Sequence, residues 1–244
     1  PNALEHMQSR GLTEDRFTYI SNGISIEEFE EPHPPLPAEH QMVFDKVRRS
    51  GKLIVVYTGS HGPGDALDQI FTLKQLYPQS DPPYHFILIG DGTSKDELVH
   101  QAVKQNVTFV TFLPRITKKQ VATALKQADV FFIGWLDRPI YRYGVSPNKL
   151  GEYFYAGKPI IQTLITKNDP VSIAKAGFSI EPYKPEQLND CLCKIISMPI
   201  ELREEMGKNG RAYAIEHLDW NKLGERYFDL CMKVFGGSNS EAFH

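Results

Sequence analysis

The sequence is poor in cysteine, has no long apolar run and carries little net charge. Its three cysteines, Cys191, Cys193 and Cys231, are odd in number and lie late in the chain, which argues against the disulfide framework of a secreted domain. No apolar run approaches the ~18 residues that a membrane-spanning helix requires. The net charge of -3 gives no basic excess, on which non-specific binding to nucleic acid depends. We therefore expect no nucleic-acid partner.

The sequence also lacks the spacings of a metal site and of a dinucleotide fingerprint. Cys191 and Cys193 fall on different faces of a predicted helix, and no His or Cys lies at ligand spacing beside them. Gly90-Asp91-Gly92 lacks the third glycine of the G-x-G-x-x-G pattern. We expect no metal and no cofactor, and a nicotinamide-dependent dehydrogenase is a distant alternative.

Apolar segments of strand length alternate with segments of helix length along most of the 244 residues. Strands are predicted at 52–57, 85–89, 107–112, 129–133, 159–162 and 177–180, and helices at 66–76, 95–105, 117–127, 146–155, 185–197, 200–216 and 220–234. The strands are near-continuous apolar runs, as expected of parallel strands buried on both faces. The pattern predicts an α/β fold with a doubly wound, Rossmann-like parallel sheet.

The first part of the chain has the character of a domain edge. Residues 3–10 predict a helix and residues 16–20 a short strand, and four prolines follow between residues 30 and 37, which is typical of a linker. The sequence begins without Met. We expect residues 1–28 to be the remnant of an N-terminal domain with the crossing from it, and residues 29–244 to form one α/β domain with C-terminal helices.

In a doubly wound sheet, ligands bind in the loops after the carboxyl ends of the strands. The loop after the first strand holds Gly59, Ser60 and His61 within a glycine-rich stretch, which lets backbone approach a phosphate or sugar closely, unless it is only a tight turn. The loop at Gly90 is a weaker candidate for such a close approach, because a lone G-x-G is a weak signal. A third loop, Leu113-Pro114-Arg115-Ile116, places an apolar wall beside one cation and suits a base with a diphosphate, unless Arg115 forms a surface ion pair.

The fourth loop carries the strongest signal. Ser146 suits the N-cap and Pro147 the first position of a helix, so the dipole and free amides of its first turn are expected to face the cleft. Those amides belong to Asn148, Lys149 and Leu150. Lys149 adds a cation where the dipole disfavours one, which an anionic ligand explains. Glu152, on the same helical face, is placed to accept hydrogen bonds from a ribose, unless it only forms an ion pair within the helix.

At this loop the sequence resembles a known family. Residues 144–161, G-V-S-P-N-K-L-G-E-Y-F-Y-A-G-K-P-I-I, are similar to the donor-binding signature of retaining glycosyltransferases of family 4, which have the GT-B fold. The similarity is strongest to the branch with S-P-x-K-L-x-E-Y-x-x-A-G-K-P, which acts in bacterial cell-surface polysaccharide synthesis. Further similar segments lie at residues 19–24, 86–92, 128–132 and 200–220, so the resemblance covers residues 17–233.

The resemblance implies a donor-binding C-terminal domain of an enzyme that transfers a sugar, with retention, from a nucleoside diphosphate sugar to an acceptor hydroxyl. A UDP-sugar is favoured over a GDP-sugar. Glu152 would hold the ribose, the amides around residues 146–150 with Lys149 the diphosphate, and residues 113–116 the base. Lys149, Glu152 and Arg115 are thus the expected catalytic residues. The acceptor site would lie on an N-terminal domain, in an enzyme of the cytoplasm or of the cytoplasmic face of the inner membrane.

Two departures from the family pattern leave alternatives open. Gly144 stands where the family commonly carries a first glutamate, seven residues before the second. Ser60 and His61 stand where many members place Arg and Lys, so charge neutralisation would fall to Lys149 and Arg115, with His61 adding charge only when protonated. A sugar-nucleotide epimerase of the same fold and a non-catalytic nucleotide-sugar-binding module are the alternatives.

The family also predicts a feature of the last helix. In the family this helix crosses back onto the other domain. We therefore expect residues 220–234 to carry apolar side chains, among them Trp220, Tyr227 and Phe228, that this chain covers incompletely.

Overall fold

The structure, a computed structural model, describes residues 3–240 and their side chains as far as residue 235. Ten α-helices lie within these residues: α1 (Ala3–Gln8), α2 (Ile26–Glu30), α3 (Ala38–Arg49), α4 (Lys95–Lys104), α5 (Lys118–Lys126), α6 (Asn148–Ala156), α7 (Pro170–Ile173), α8 (Pro185–Ser197), α9 (Ile200–His217) and α10 (Trp220–Ser240). Four 3₁₀ helices lie at Glu14–Arg16, Pro63–Asp65, Leu67–Leu76 and Pro139–Tyr143.

Six parallel strands form one sheet. They are β1 (Leu53–Ser60), β2 (Tyr84–Asp91), β3 (Val110–Leu113), β4 (Val130–Ile133), β5 (Ile160–Gln162) and β6 (Gly177–Ser179). Their order is β3-β2-β1-β4-β5-β6, and Val56 of β1 pairs with Ile87 of β2 on one side and Phe131 of β4 on the other. The predicted α/β fold with a doubly wound parallel sheet is confirmed.

Two hydrophobic cores lie on the two faces of the sheet. Val56 and Phe131 point to one core, where the ring of Tyr153 on α6 stacks on Phe131 with centroids 4.4 Å apart. Val55 and Phe132 point to the other core, which α8 and the Leu67–Leu76 helix cover. Because the four inner strands β1, β2, β4 and β5 are buried on both faces, their sequences show continuous apolar runs and no alternation, whereas the edge strands β3 and β6 are only partly buried.

Two predicted elements differ in the structure. The predicted strand at residues 16–20 is absent from the described chain: a 3₁₀ helix covers Glu14–Arg16, and residues 17–20 belong to no strand. A strand needs a partner for its backbone groups, and none lies beside this segment in the described sheet. The helix predicted at 66–76 is a 3₁₀ helix at Leu67–Leu76, in which the side chains of Gln69 and Thr72 donate to carbonyls three residues earlier.

Residues just before α2 pack against the connection between α9 and α10. The backbone N–H of Ile24 donates to the carbonyl of Leu218 at 2.7 Å, and the N–H of Trp220 donates to the carbonyl of Ile24 at 2.9 Å. The side chain of Ile24 is buried against Gly151 of α6. This bridge between Ile24 and Asp219 joins the segment before α2 to the connection between α9 and α10, next to α6.

The last helix leaves a large apolar surface uncovered. Trp220, Tyr227 and Phe228 are 51%, 61% and 63% exposed, and Met232 and Phe235 are also exposed. The predicted incomplete cover of residues 220–234 is therefore confirmed. None of the described helices combines the length and apolar character that crossing a bilayer requires.

Candidate functional site

The candidate site lies at the carboxyl ends of the strands, at the switch point where the strand order of the sheet reverses. β1 lies between β2 and β4, and the connections from these neighbours run to opposite sides of it. The backbone pairing of β1 with β4 ends at Val56, and beyond it the N–H of Thr58 donates to the hydroxyl of Tyr153 at 2.7 Å. Tyr153 therefore pins α6 to β1 at the switch point, where ligands of such sheets bind.

Lys149, in the first turn of α6, reaches over the end of β1. Its Nζ donates to the hydroxyl of Tyr57 and to Oδ1 of Asp65, each at 2.6 Å, and lies 4.2 Å from the centre of the Tyr57 ring. Gly59 gives this side chain room: a Cβ at Gly59 would lie 3.1 Å from Cε and 3.2 Å from Nζ of Lys149. The glycine also has φ +142°, a conformation that other residues rarely adopt.

Burial controls the protonation of this group. The side chain of Lys149 is 16% exposed and that of Asp65 is 22% exposed. Burial lowers the pKa of Lys149, and the neighbouring Asp65 carboxylate opposes that shift by its charge and its hydrogen bond. The same burial, with the charge of Asp65, raises the pKa of the Tyr57 hydroxyl. The site therefore holds one cation that is shielded from water at the end of the central strand.

The first turn of α6 differs by two residues from the prediction. The helix begins at Asn148 with Pro147 as N-cap, and Ser146 lies outside it. The Ser146 hydroxyl accepts from the N–H of Asn22 at 3.1 Å, so it caps nothing in α6 and anchors the segment before α2 instead. The amide of Leu150 donates to the carbonyl of Pro147 at 3.1 Å and is not available to a ligand. The amides of Asn148 and Lys149 are the first two of the helix, which have no intrahelical acceptor.

Glu152 lies one turn further along α6, beside a separate cavity. This cavity of about 370 Å³ is lined by Glu28, Phe29, Glu31, His33, Lys118, Lys119, Ala122 and Glu152. Burial raises the pKa of Glu152, although Lys118 and Lys149 oppose the shift by their charge. At its rim Lys118 forms an ion pair with Glu28 at 2.5 Å. A half-buried carboxylate facing a cavity of this size is suited to accepting hydrogen bonds from a hydroxylated ligand.

The loop after β3 takes a fixed course at the sheet edge. Leu113 is buried, and its carbonyl accepts from Nζ of Lys95 at 3.2 Å. The carbonyl of Pro114 accepts from Nε2 of His40 at 2.9 Å. Arg115 is exposed and forms no ion pair with any described residue, and Ile116 packs against the core below. These four residues lie outside the described lining of the cavity beside Glu152, so their contact with a base remains a prediction.

His61 is buried behind the end of β1, and the charge that it could add when protonated is not present near neutral pH. The side chain is completely buried beside the rings of Tyr57 and Phe112, and neither ring nitrogen has a hydrogen-bond partner among the described residues. Burial lowers the pKa of His61 from 6.5 to about 4, so the imidazole is neutral near pH 7. Ser60, by contrast, is exposed at the end of β1.

The glycines at 90 and 92 are explained by packing. A Cβ at Gly90 would lie 1.8 Å from the carbonyl oxygen of Gly59, and one at Gly92 would lie 2.7 Å from the backbone of His61. Gly59 and Gly90 are paired at the ends of β1 and β2, and just beyond them the backbones of His61 and Gly92 touch. This close approach accounts for the incomplete glycine motif, and a ligand contact at Gly90 remains a prediction.

Sequence reasoning missed Asp65 and Tyr57, the two side chains that hold Lys149. Asp65 lies 84 residues from Lys149 in the sequence, and no motif links the two positions. Tyr57 is the last residue of the strand predicted at 52–57, and nothing in that apolar run indicates a polar contact for its hydroxyl. Among the described residues, no group of three or more His, Cys, Asp or Glu is placed to hold a metal ion.

Comparisons with solved structures identify the fold. HepE from Anabaena, solved with UDP and glucose, has a TM-score of 0.68 at 16% identity, over 93% of this chain and 60% of that one. A glycosyltransferase from Rickettsia africae has a TM-score of 0.71 at 13% identity, over 96% and 62%. Sucrose-phosphate synthase from Thermosynechococcus elongatus has a TM-score of 0.72 at 17% identity, over 96% and 57%.

The chain thus spans less than two thirds of the length of these three proteins. None of the curated proteins compared with it is significantly similar in sequence. The family model described as "Glycosyl transferases group 1" matches residues 40–213. That stretch runs from α3 to α9 and includes the whole parallel sheet, the Lys149 group and Glu152. The chain therefore belongs to the group 1 family of glycosyl transferases.

Proposed function

We propose that this chain is the donor-binding half of a retaining glycosyltransferase of family 4 that takes its sugar from a UDP-sugar. One observation carries the proposal: a buried lysine in the first turn of α6 reaches the end of the central strand at the switch point, facing a glycine. A helix N-terminus and a shielded cation together form a strong site for a diphosphate.

The diphosphate and the ribose of the donor would bind at successive positions along the first two turns of α6, and the base would bind at the loop after β3. The diphosphate binds at Lys149 and at the amides of Asn148 and Lys149. The ribose binds at Glu152, whose carboxylate accepts hydrogen bonds when ionised. The base lies against residues 113–116, with Arg115 near the phosphates. Gly59 and Ser60 border the diphosphate from the β1 side.

The main catalytic task of this half is to stabilise the leaving diphosphate. As the bond between the anomeric carbon and the phosphate oxygen breaks, negative charge grows on the diphosphate and positive charge on the sugar ring. With the donor bound, Lys149 and the helix amides would face that charge, which is the condition for efficient electrostatic catalysis. The acceptor, which supplies the hydroxyl, would bind at an N-terminal domain, in polysaccharide or glycoconjugate biosynthesis on the cytoplasmic side of the membrane.

The preference for a UDP-sugar rests on the resemblance and on the neighbours. HepE was solved with UDP and glucose, and the TarM protein of S. aureus with UDP. Thermal unfolding of the chain with UDP, GDP, ADP and uridine tests the proposal. A ligand that binds only the folded state stabilises it by about 2.7 kcal/mol at 100 times its Kd. We expect UDP to raise Tm more than GDP or ADP, and all three to exceed uridine. Equal Tm values with and without every nucleotide would contradict the proposal.

A non-catalytic binding module is a second candidate because of Gly144. This glycine ends the Pro139–Tyr143 helix with φ +100° and offers no carboxylate where the family pattern has one. The same absence counts against the epimerase, which needs acid and base groups around the sugar. Transfer of radiolabelled sugar by the full-length protein, with nucleotide release followed in parallel, separates the candidates: binding without turnover favours the module.

A further inference from the structure

The carboxylate of Asp65 accepts hydrogen bonds from two groups that a bound phosphate would use as donors. Its Oδ1 accepts from Nζ of Lys149 at 2.6 Å, and its Oδ2 accepts from the backbone N–H of Gly62 at 3.2 Å. An ammonium and an amide of a glycine-rich loop are the donor types that bind phosphate oxygens. The carboxylate is thus an anion of the protein itself, seated at the end of β1.

The protein holds this carboxylate in place by close packing. The carbonyl oxygen of Asp65 would lie 2.2 Å from a Cβ at Gly134, so the loop presses against the backbone just after β4. The next residue, Ala66, is buried and has φ +44°, a left-handed conformation that costs about 1 kcal/mol or more in a residue other than glycine. A strained residue next to a tight contact indicates that the position of Asp65 is maintained by its surroundings.

We infer that Asp65 is an internal competitor for the diphosphate site, which keeps the Lys149 ammonium paired until the donor replaces it. The inference rests on the proposed function and adds a selectivity to it. To replace Asp65, a ligand must interact with the Lys149 ammonium more strongly than a single carboxylate does. A diphosphate meets this condition, and a neutral nucleoside does not. Asp65 thereby weakens binding of every ligand through its phosphates and has no effect on contacts to base or ribose.

Substitution of Asp65 tests this inference by calorimetry on the 244-residue chain. The probes are UDP, inorganic pyrophosphate and uridine. Asp65→Asn and Asp65→Ser both remove the charge, and the serine variant keeps an acceptor for the Gly62 amide if the asparagine variant folds poorly. Asp68→Asn is the matched control. It removes the same charge three residues further along the chain, from a side chain that accepts a hydrogen bond from the hydroxyl of Tyr183.

We expect both Asp65 variants to bind UDP and pyrophosphate about 3- to 10-fold more tightly, since a charged hydrogen bond no longer competes. Uridine affinity stays unchanged in every variant, and Asp68→Asn leaves all three affinities near those of the original chain. Unchanged or weaker binding of UDP by both Asp65 variants overturns the inference and leaves the proposed function standing. Failure of all variants and of the original chain to bind UDP or pyrophosphate contradicts both.

The pairing has a second readout that needs no nucleotide. The reactivity of Lys149 toward an amine-modifying reagent, followed by peptide mass spectrometry across pH, reports its protonation. Without Asp65, the opposition to the burial effect on the Lys149 pKa is lost, so the amine reacts at lower pH in Asp65→Asn than in Asp68→Asn. Identical pH profiles for these two variants would show that Asp65 does not hold the ammonium.

Discussion

Lys149 combines two properties that rarely occur together in a first helical turn. It is a cation at the positive end of a helix dipole, and it is largely removed from water. Both properties disfavour the charged form, and the pairing with Asp65 and Tyr57 compensates for them. A residue kept under such conditions is more easily explained by a ligand than by the stability of the helix.

Removal of Lys149 should therefore weaken phosphate binding specifically. We expect Lys149→Met to lower UDP affinity about 10- to 100-fold, as for loss of a charged hydrogen bond in a shielded site, and to leave uridine affinity unchanged. Lys158→Met, a change at the other end of α6, is the control. Calorimetry measures both, and equal UDP affinity for the two variants would refute the phosphate assignment.

His61 predicts a pH dependence of stability. Its pKa is about 4 in the folded chain against 6.5 in the unfolded chain, so the unfolded state binds the proton more tightly between these values. Stability is therefore complete above pH 6.5 and falls as the pH is lowered toward 4, by on the order of 3 kcal/mol from this group.

Urea unfolding of His61→Leu across this pH range measures that contribution. The variant should lose less stability than the original chain between pH 6.5 and 4. His85, whose pKa is also lowered to about 4 by burial, should continue to produce a decline in both proteins. Parallel curves for the two chains would show that His61 is not the titrating group.

The candidate binding residues on α6 could be predicted from the sequence, whereas the side chains that contact them could not. Lys149 and Glu152 follow from helix periodicity and the charge of a helix terminus. Asp65 depends on the path of a loop that only packing against Gly134 determines. For His61, the residue type was visible, but the side of the sheet to which a side chain turns after a strand is decided by tertiary contacts.

At the scale of elements, α6 and α9 meet through glycine. A Cβ at Gly207 of α9 would lie 2.0 Å from the carbonyl oxygen of Gly157, which ends α6 in the left-handed region. The close approach fixes the far end of the helix whose beginning carries Lys149.

Alanine at two glycines distinguishes this contact from helix propensity. Gly207→Ala should lower the free energy of unfolding by about 1–3 kcal/mol, because backbone must move. Gly224→Ala in α10, where no atom lies within 4 Å of the added Cβ, should raise it by about 0.5–1 kcal/mol. Urea titration gives both values, and a stabilised Gly207→Ala would refute the packing argument.

The positions of strands could be predicted where burial on both faces requires a continuous run of apolar residues. The strands that became β1, β2 and β4 were placed within three residues at each end. The strand expected at residues 16–20 had similar residues but lacks a neighbour in the described sheet. Residues 67–76 form a 3₁₀ helix that includes side-chain hydrogen bonds to the backbone, and such bonds produce no periodic pattern in a sequence.

At the scale of the whole molecule, the outer face of α10 adds little to the stability of this chain. The double change Tyr227→Ser with Phe228→Ser should alter the free energy of unfolding by less than about 0.5 kcal/mol, because both rings are exposed. Leu223→Ala on the buried face of the same helix should cost about 2–5 kcal/mol. Urea unfolding compares them, and a large loss in the double variant would show that the rings are covered.

The bridge between Ile24 and Asp219 also has a consequence for synthesis. It joins residues 195 positions apart (219 − 24), so a chain leaving the ribosome makes this contact only after α9 has emerged. Until then the contact of Ile24 with Gly151 of α6 and the hydrogen bond of Asn22 to Ser146 form without the support of Leu218 and Trp220. We expect nascent chains halted before residue 218 to be protease-sensitive around residues 22–24, and chains that include α10 to protect these residues, so that the segment before α2 is the last part to become fixed.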